Sequence, residues 1–361
     1  MSTYQIIGIL YALVAAGTGL ALAIEAPRRK TLDLDYLPLT HIGIWKSRIL
    51  MGLLFLYSGF VKANDYMGFG YKLEEYFYVF GTEFMVPLAM PLAWFISVFE
   101  IALGIAIMVG FRMNTTMWVT LIMMLFFTWL TGYSHFTGKV TDCGCFGDAL
   151  KITPKESFIK DIILTLMVIP VFLTRKYIPP FPHARLAAGL TAAAFVISGI
   201  YSWYCHENLP LIDYRAYKVG VDLNICTTVP DEDGFPKCKG WENFFPLGGE
   251  FDLLQGKTLM IVMYELSKAS PQGIEKSVAL ANALEGSGIQ IAAATSSLDD
   301  DIRAVQATYK VPYPFAAMDE TTLKTIVRAS PGYMLLKDGV VIKKWHHNNT
   351  PDAETVKALV K

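Results

Sequence analysis

The chain has 361 residues, 53% hydrophobic and 17% charged, with a formal net charge of −1 and a mean hydropathy of +0.38. Soluble domains carry about 25% charged residues, so this composition excludes a disordered chain, a coiled coil and a wholly water-soluble enzyme. The near-zero charge offers nucleic acid no global attraction, and no nucleic-acid partner is expected.

The apolar surplus lies before residue 205. Residues 4–24 carry no charge and are long enough to cross about 30 Å of hydrocarbon. Further spans are predicted at 43–62, 85–110, 115–135, 158–174 and 186–204. The first has no basic run before it and Arg28, Arg29 and Lys30 after it, so it reads as an uncleaved helix with its N-terminus outside. Loops on one side hold Arg28, Arg29, Lys30, Lys46, Arg48, Arg112, Arg175, Lys176 and Arg185. Those on the other hold Lys62, Lys72, Lys139, Lys151, Lys155 and Lys160, which makes nine basic residues against six. The excess marks the cytoplasmic side. Everything after residue 205 then faces outward, to a periplasm, from an inner membrane.

Three divisions follow: a six-helix transmembrane domain at 1–204, an extracytoplasmic linker at 205–244 and a soluble domain at 245–361. In the last, a strand is predicted at 258–266, then a helix, a strand at IQIAAATSS and a capped helix from Ser297. A short helix at 319–329, a hairpin around Asp338-Gly339 and a closing helix complete it. The order βαβαββα implies a sheet covered on both faces. This order resembles a thioredoxin fold, with Ser330-Pro331 in the place of that family's cis-proline. The family's CxxC position reads Ser267-Lys268-Ala269-Ser270. A serine hydroxyl cannot replace a thiolate in disulfide exchange. The resemblance therefore implies a redox-degenerate α/β domain that binds a protein client.

The chemistry-bearing residues of the membrane half are few. Glu100 lies mid-span, where an ionisable group is a functional candidate by default. It is a candidate proton acceptor, or it pairs with Arg48 or Lys62 and only packs the bundle. Lys62 and Asp65 read as an interfacial ion pair. An aromatic loop with Tyr71, Tyr76, Phe77, Tyr78 and Phe80, bent at Gly68, Gly70 and Gly81, is a candidate lid over the outward loop that holds Cys143 and Cys145. That pair can close a small, strained ring, and strained disulfides are readily reduced. Three readings stand: a redox pair passing electrons to quinone, a static clip, or half a metal shell with His135 nearby. Cys226 and Cys238 in the linker read as a structural disulfide or a relay pair. Cys205 reads as an interfacial residue or an intermolecular partner, and His346 and His347 as solvent-facing.

Arg48, Gly52, Ser58-Gly59, Lys62, Glu100, Gly104, Gly110, the run Asp142-Cys143-Gly144-Cys145-Phe146-Gly147-Asp148 and Asp161 together resemble the DoxX family. They are also similar to its relatives, the methylamine-utilisation MauE-type proteins. The resemblance covers about 45–175, a four-helix core, and marks the first and sixth helices as additions. It implies maturation of disulfide-containing periplasmic proteins; membrane lipid and an extracytoplasmic client are the expected partners, and the loop cysteines, read as a redox pair, make quinone the one cofactor expected. The alternative is a non-enzymatic scaffold or subunit of an envelope or secretion complex. A small-molecule transporter is a weaker reading, because no inverted repeat is evident.

Overall fold

The computed structural model describes residues 3–26, 38–140, 144–150, 152–224 and 255–361. Two compact units divide at Trp203/Tyr204.

The first unit is helical. Its elements are α1 (Thr3–Glu25), α2 (Pro38–Asn64), α3 (Tyr66–Val79), α4 (Ala89–Val109), α5 (Met113–Thr137), α6 (Pro154–Thr174) and α7 (Ala184–Asn208). Among the described residues, six helices are long and apolar enough to cross a membrane, the build of a multi-pass membrane protein. The core is shared by five of them, with Ala15 of α1 joining four others. Met51 and Phe55 of α2, Leu103 and Ile107 of α4, Met117 and Met124 of α5, and Leu164, Met167 and Val171 of α6 are all buried together. The ends follow local chemistry. Thr153 and Glu156 form a reciprocal capping box with Pro154 in the first turn of α6, and α4 stops at Gly110, whose φ is 73°.

α2 and α4 cross closely because glycines line the crossing. A Cβ on Gly104 would lie 2.7 Å from the Gly52 carbonyl oxygen, and one on Gly59 would lie 2.8 Å from Ile101. In hydrocarbon, where no hydrophobic force presses helices together, such small residues let backbones approach and dispersion act.

Two sequence expectations are corrected here. The aromatic stretch expected as a loop is the helix α3. Asp65 starts it by accepting from the Gly68 N–H at 3.1 Å, and two glycines, Gly68 and Gly70, hid its period. Arg48 and Lys62, counted with the loops, are buried inside the bundle. Removing one from each side leaves eight basic residues against five, so the excess stays on the same side.

The second unit is built on a mixed five-stranded sheet in the order β3-β2-β1-β4-β5. In chain order its elements are β1 (Lys257–Val262), α8 (Pro271–Ala283), β2 (Gln290–Thr295), α9 (Asp299–Tyr309), β3 (Phe315–Ala317), α10 (Glu320–Ile326), β4 (Gly332–Lys337), β5 (Val340–His346) and α11 (Ala353–Leu359). β1, β2 and β3 run parallel, while β4 and β5 are antiparallel to their neighbours. Along β1, Leu259 and Ile261 join one buried cluster with Ile274, Leu280 and Val356, while Met260 and Val262 join another with Leu323 and Ile326. Burial on both faces explains why β1 reads as a continuous apolar run. The hairpin turns at Asp338 and Gly339, with φ of 50° and 79°, as a primed two-residue turn requires.

The expected order lacked one strand. β3 is three residues long, follows Pro312 and Pro314, and is too short to show a period. Residues 209–224, read as the start of a linker, lie against the sheet. Gly220 N–H donates to Val341 O at 2.8 Å, and Leu223 N–H to Gly339 O at 2.9 Å, while Tyr217 and Leu223 are buried in the core. His346 is also buried, at 5% exposure, against the expectation of a solvent-facing ring. Burial, then His347 and His206 nearby, push it down to about 3, so it is neutral at neutral pH.

The α2–α4 crossing generates a test. Gly104→Ala should cost about 1–3 kcal/mol through forced separation of the helices, read as earlier unfolding in a detergent-denaturant titration. Gly8→Ala, where nothing lies within 4 Å of the added carbon, should leave the midpoint unchanged.

Candidate functional site

The site is assembled on α2. Ser58 and Lys62 are four residues apart, which puts both side chains on one helix face. Glu100 of α4 meets them. Lys62 Nζ donates to Glu100 Oε1 at 2.6 Å, to Oε2 at 2.8 Å and to Ser58 Oγ at 3.0 Å. The two charged side chains are 3% and 2% exposed. The Ser58 hydroxyl is within reach of two acceptors, Glu100 Oε2 at 2.9 Å and the Cys145 carbonyl oxygen at 3.0 Å. It has one proton to give, so the carboxylate and the loop carbonyl share it.

Aromatic rings wall the ammonium. Lys62 Nζ sits 5.0 Å from the Phe69 centroid and 5.6 Å from that of Phe127. Such faces stabilise a desolvated cation, so α3 and α5 both contribute to holding the pair. The expected Lys62–Asp65 ion pair is corrected: the Lys62 ammonium turns inward to Glu100, and Asp65 caps α3. Sequence adjacency suggested the wrong carboxylate because the true partner lies on another helix.

Cys145 is buried beside Phe146, Leu54, Leu150 and Ile152. A second charged group flanks this loop. Lys160 Nζ lies 5.0 Å from the Phe146 ring and 2.8 Å from Asp161 Oδ1. The other Asp161 oxygen accepts from Thr131 Oγ1 at 3.0 Å. α3 lies against the loop as well: a Cβ on Gly144, whose φ is 67°, would come within 3.1 Å of Lys72 Cγ. The segment singled out as a lid therefore does contact the cysteine loop, as a helix.

The remaining candidates have separate places. Arg48 donates to the carbonyls of Ile107 at 3.0 Å and Met108 at 2.8 Å, completing the C-terminal end of α4 rather than reaching Glu100. The His135 ring packs beside Phe136 and Phe158. Cys205 is buried near the end of α7. Cys143, Cys226 and Cys238 lie outside the described residues.

In the second unit, Ser267 Oγ donates to Glu265 Oε1 at 2.6 Å. Ser270 Oγ accepts from Gly273 N–H at 3.2 Å as the N-cap of α8. The Ser270 N–H donates to Ser330 O at 2.8 Å, and the Ser330–Pro331 bond is cis. Pro331 O lies 3.1 Å from His347 Nδ1. Both serine hydroxyls are thus engaged in local backbone and side-chain bonds.

The buried pair makes a direct prediction. Lys62→Met and Glu100→Gln should each destabilise by roughly 3–5 kcal/mol, because each strands a partner, whereas Lys62→Met/Glu100→Gln together should cost much less than their sum. Reversible unfolding in mixed micelles measures all three. Additive losses would contradict the pairing.

Comparison with known proteins agrees with the helical assignment. Residues 40–174 match the family model of the methylamine utilisation protein MauE. The chain is also similar to Protein TlpB of Flavobacterium psychrophilum, at 26% identity over 165 residues. That similarity takes in 45% of this chain and 43% of that protein, so it spans less than half the length of either.

Proposed function

We propose that this chain is a membrane thiol-disulfide oxidoreductase or maturation factor for extracytoplasmic proteins, with Cys143 and Cys145 as its redox pair. The observation that carries the reading is the Ser58 contact. It ties the Cys145 carbonyl to a buried Lys62–Glu100 pair, a charged group at the one loop that bears a CxC element. Ionisable groups are expensive in a membrane core and mark functional sites. The similarity to MauE over residues 40–174 supports the same class.

The chemistry runs in two balanced steps. A client dithiolate attacks the Cys143–Cys145 disulfide through a mixed disulfide. A client disulfide forms, the two electrons move from client to loop, and the two protons shed by the client thiols are taken up by Cys143 and Cys145, which become thiols. A quinone bound near this loop would supply the acceptor for two electrons and two protons, and Cys143 and Cys145 would return to the disulfide. Glu100 receives a thiol proton on that path, and Lys62 balances the carboxylate charge between turnovers.

In this reading the second unit is a thioredoxin-like domain that binds the client without exchanging disulfides. Its support is the strand order β3-β2-β1-β4-β5 and the approach of Ser270 to Ser330 beside Pro331. Cys226 and Cys238 serve as a relay pair or a structural disulfide. The chain sits in an inner membrane with this domain on the periplasmic side, the orientation that the basic residues favour. One observation favours the alternative of a non-enzymatic scaffold: the hydroxyls of Ser267 and Ser270 are committed to local bonds.

Reconstituted protein given a reduced two-cysteine peptide and a short-chain quinone separates the two. Quinol formation should be lost in Cys143→Ser and in Cys145→Ser with membrane assembly unchanged, and slowed about 10²-fold or more in Glu100→Gln per correctly folded molecule. Undiminished turnover in both cysteine variants would overturn the redox reading and leave the scaffold.

A further inference from the structure

The second unit carries an apolar surface that its own core does not use. Among its described residues, six large apolar or aromatic side chains are exposed, and four of them fall between residues 204 and 219. They are Tyr204 at 47%, Leu211 at 60%, Ile212 at 42% and Val219 at 52%. Trp203, the residue before them, is 61% exposed. This is where α7 ends. That helix has 25 residues and so a length of about 37 Å, more than the roughly 30 Å of a hydrocarbon core. Trp203 and Tyr204, near its end, are the residue types that settle at headgroup level.

The chain that follows is held in a fixed shape. The Leu209 N–H donates to Cys205 O at 3.0 Å, and Leu209, with a φ of 95°, takes the chain off the helix axis. Asn348 Nδ2 donates to Glu207 O at 2.9 Å and to Glu207 Oε2 at 2.8 Å, and Asn349 Nδ2 donates to Asn208 Oδ1 at 2.7 Å. The end of α7 is thereby tied to the turn after β5. Beyond it, Leu209, Ala216 and Val221 pack against the core, and Asp213 Oδ2 accepts from Lys344 Nζ at 2.7 Å. With these side chains engaged by the sheet, Leu211, Ile212 and Val219 are left on the outer side of a strap. Leu211 and Ile212 follow Asn208 by three and four residues, at most about 14 Å of extended chain, so they stay beside the headgroup layer that α7 enters. Lys218, also exposed, places a positive charge next to Val219.

We propose that Leu211, Ile212 and Val219, with Lys218, form a docking surface that seats the second unit on the lipid headgroup layer of the membrane that α7 crosses. Apolar side chains at that level gain by leaving water for the headgroup–acyl boundary, and a lysine gains by meeting anionic headgroups. The covalent link to the end of a span supplies the nearness that makes even a small patch effective, because the surface never has to find the membrane from solution. The inference needs only that α7 spans the membrane and is independent of the thiol chemistry. A domain seated in this way meets its partner at the bilayer surface, not on a free tether.

The test places the unaltered full chain in vesicles of phosphatidylcholine and phosphatidylglycerol that include a lipid with a photoreactive diazirine in its headgroup. Illumination and peptide mass spectrometry then read the label at each residue. Trp203 and Tyr204 should be labelled as the end of a span, and Leu211, Ile212 and Val219 should be labelled with them. Leu298, 77% exposed at the start of α9, should not. Leu211→Asp/Ile212→Asp should lose the label at Val219 and keep it at Trp203. Label at Trp203 with none at Leu211, Ile212 and Val219 would overturn the proposal. So would equal label at Leu298, or label at Val219 undiminished in the double variant. Label absent from Trp203 as well would remove the span and the docking surface together.

Discussion

The membrane unit depends on one interaction, the buried ion pair between Lys62 of α2 and Glu100 of α4. Neither charge is tolerable alone in an apolar bundle, because the desolvation cost of an unpaired ion exceeds what packing returns. Pairing them fixes the register of the two helices that share the closest crossing. Gly52, Gly59 and Gly104 make that crossing possible by removing the side chains that would separate the backbones. Arg48 acts at the other end of α4 on the carbonyls that helix geometry leaves open. The family-type residues therefore serve one mechanical purpose before any chemical one: they hold α2 against α4.

That arrangement also reaches the loop. Ser58 stands between the ion pair and the Cys145 carbonyl, so the position of the cysteine loop is tied to the charge state of the pair. Lys160 and Asp161 hold the loop from α6, through the Phe146 ring. Phe69 of α3 covers the Lys62 ammonium.

Much of this was legible in the sequence, and the reasons differ by residue. The long helices were legible because crossing hydrocarbon demands a long apolar run, and the description of six matches the six spans expected. Glu100 was conspicuous because charge is rare in such runs. Its partner was narrowed only to Arg48 or Lys62, and the structure selects Lys62, because which of two basic residues on α2 faces Glu100 is settled in space. α3 was hidden by glycines and aromatic residues that carry no clear period, although Asp65 three residues before Gly68 was a cap signal in plain view. In the second unit the strands of the sheet centre were legible as apolar runs. β3 and the segment 209–224 were not, because their order comes from pairing with strands already formed. His346 looked exposed for want of a hydrophobic neighbour pattern, yet alternation along β5 turns it, with Lys344, inward.

The central claim is that the CxC loop beside the Lys62–Glu100 pair handles electrons. Differential alkylation of the purified protein, with and without quinone, read at each cysteine by mass spectrometry, tests it most directly. The account predicts that Cys143 and Cys145 are alkylated after mild reduction and become protected as a disulfide when quinone is added. Cysteines that keep the same state through reduction and quinone addition would contradict it, and would make the loop a fixed structural element.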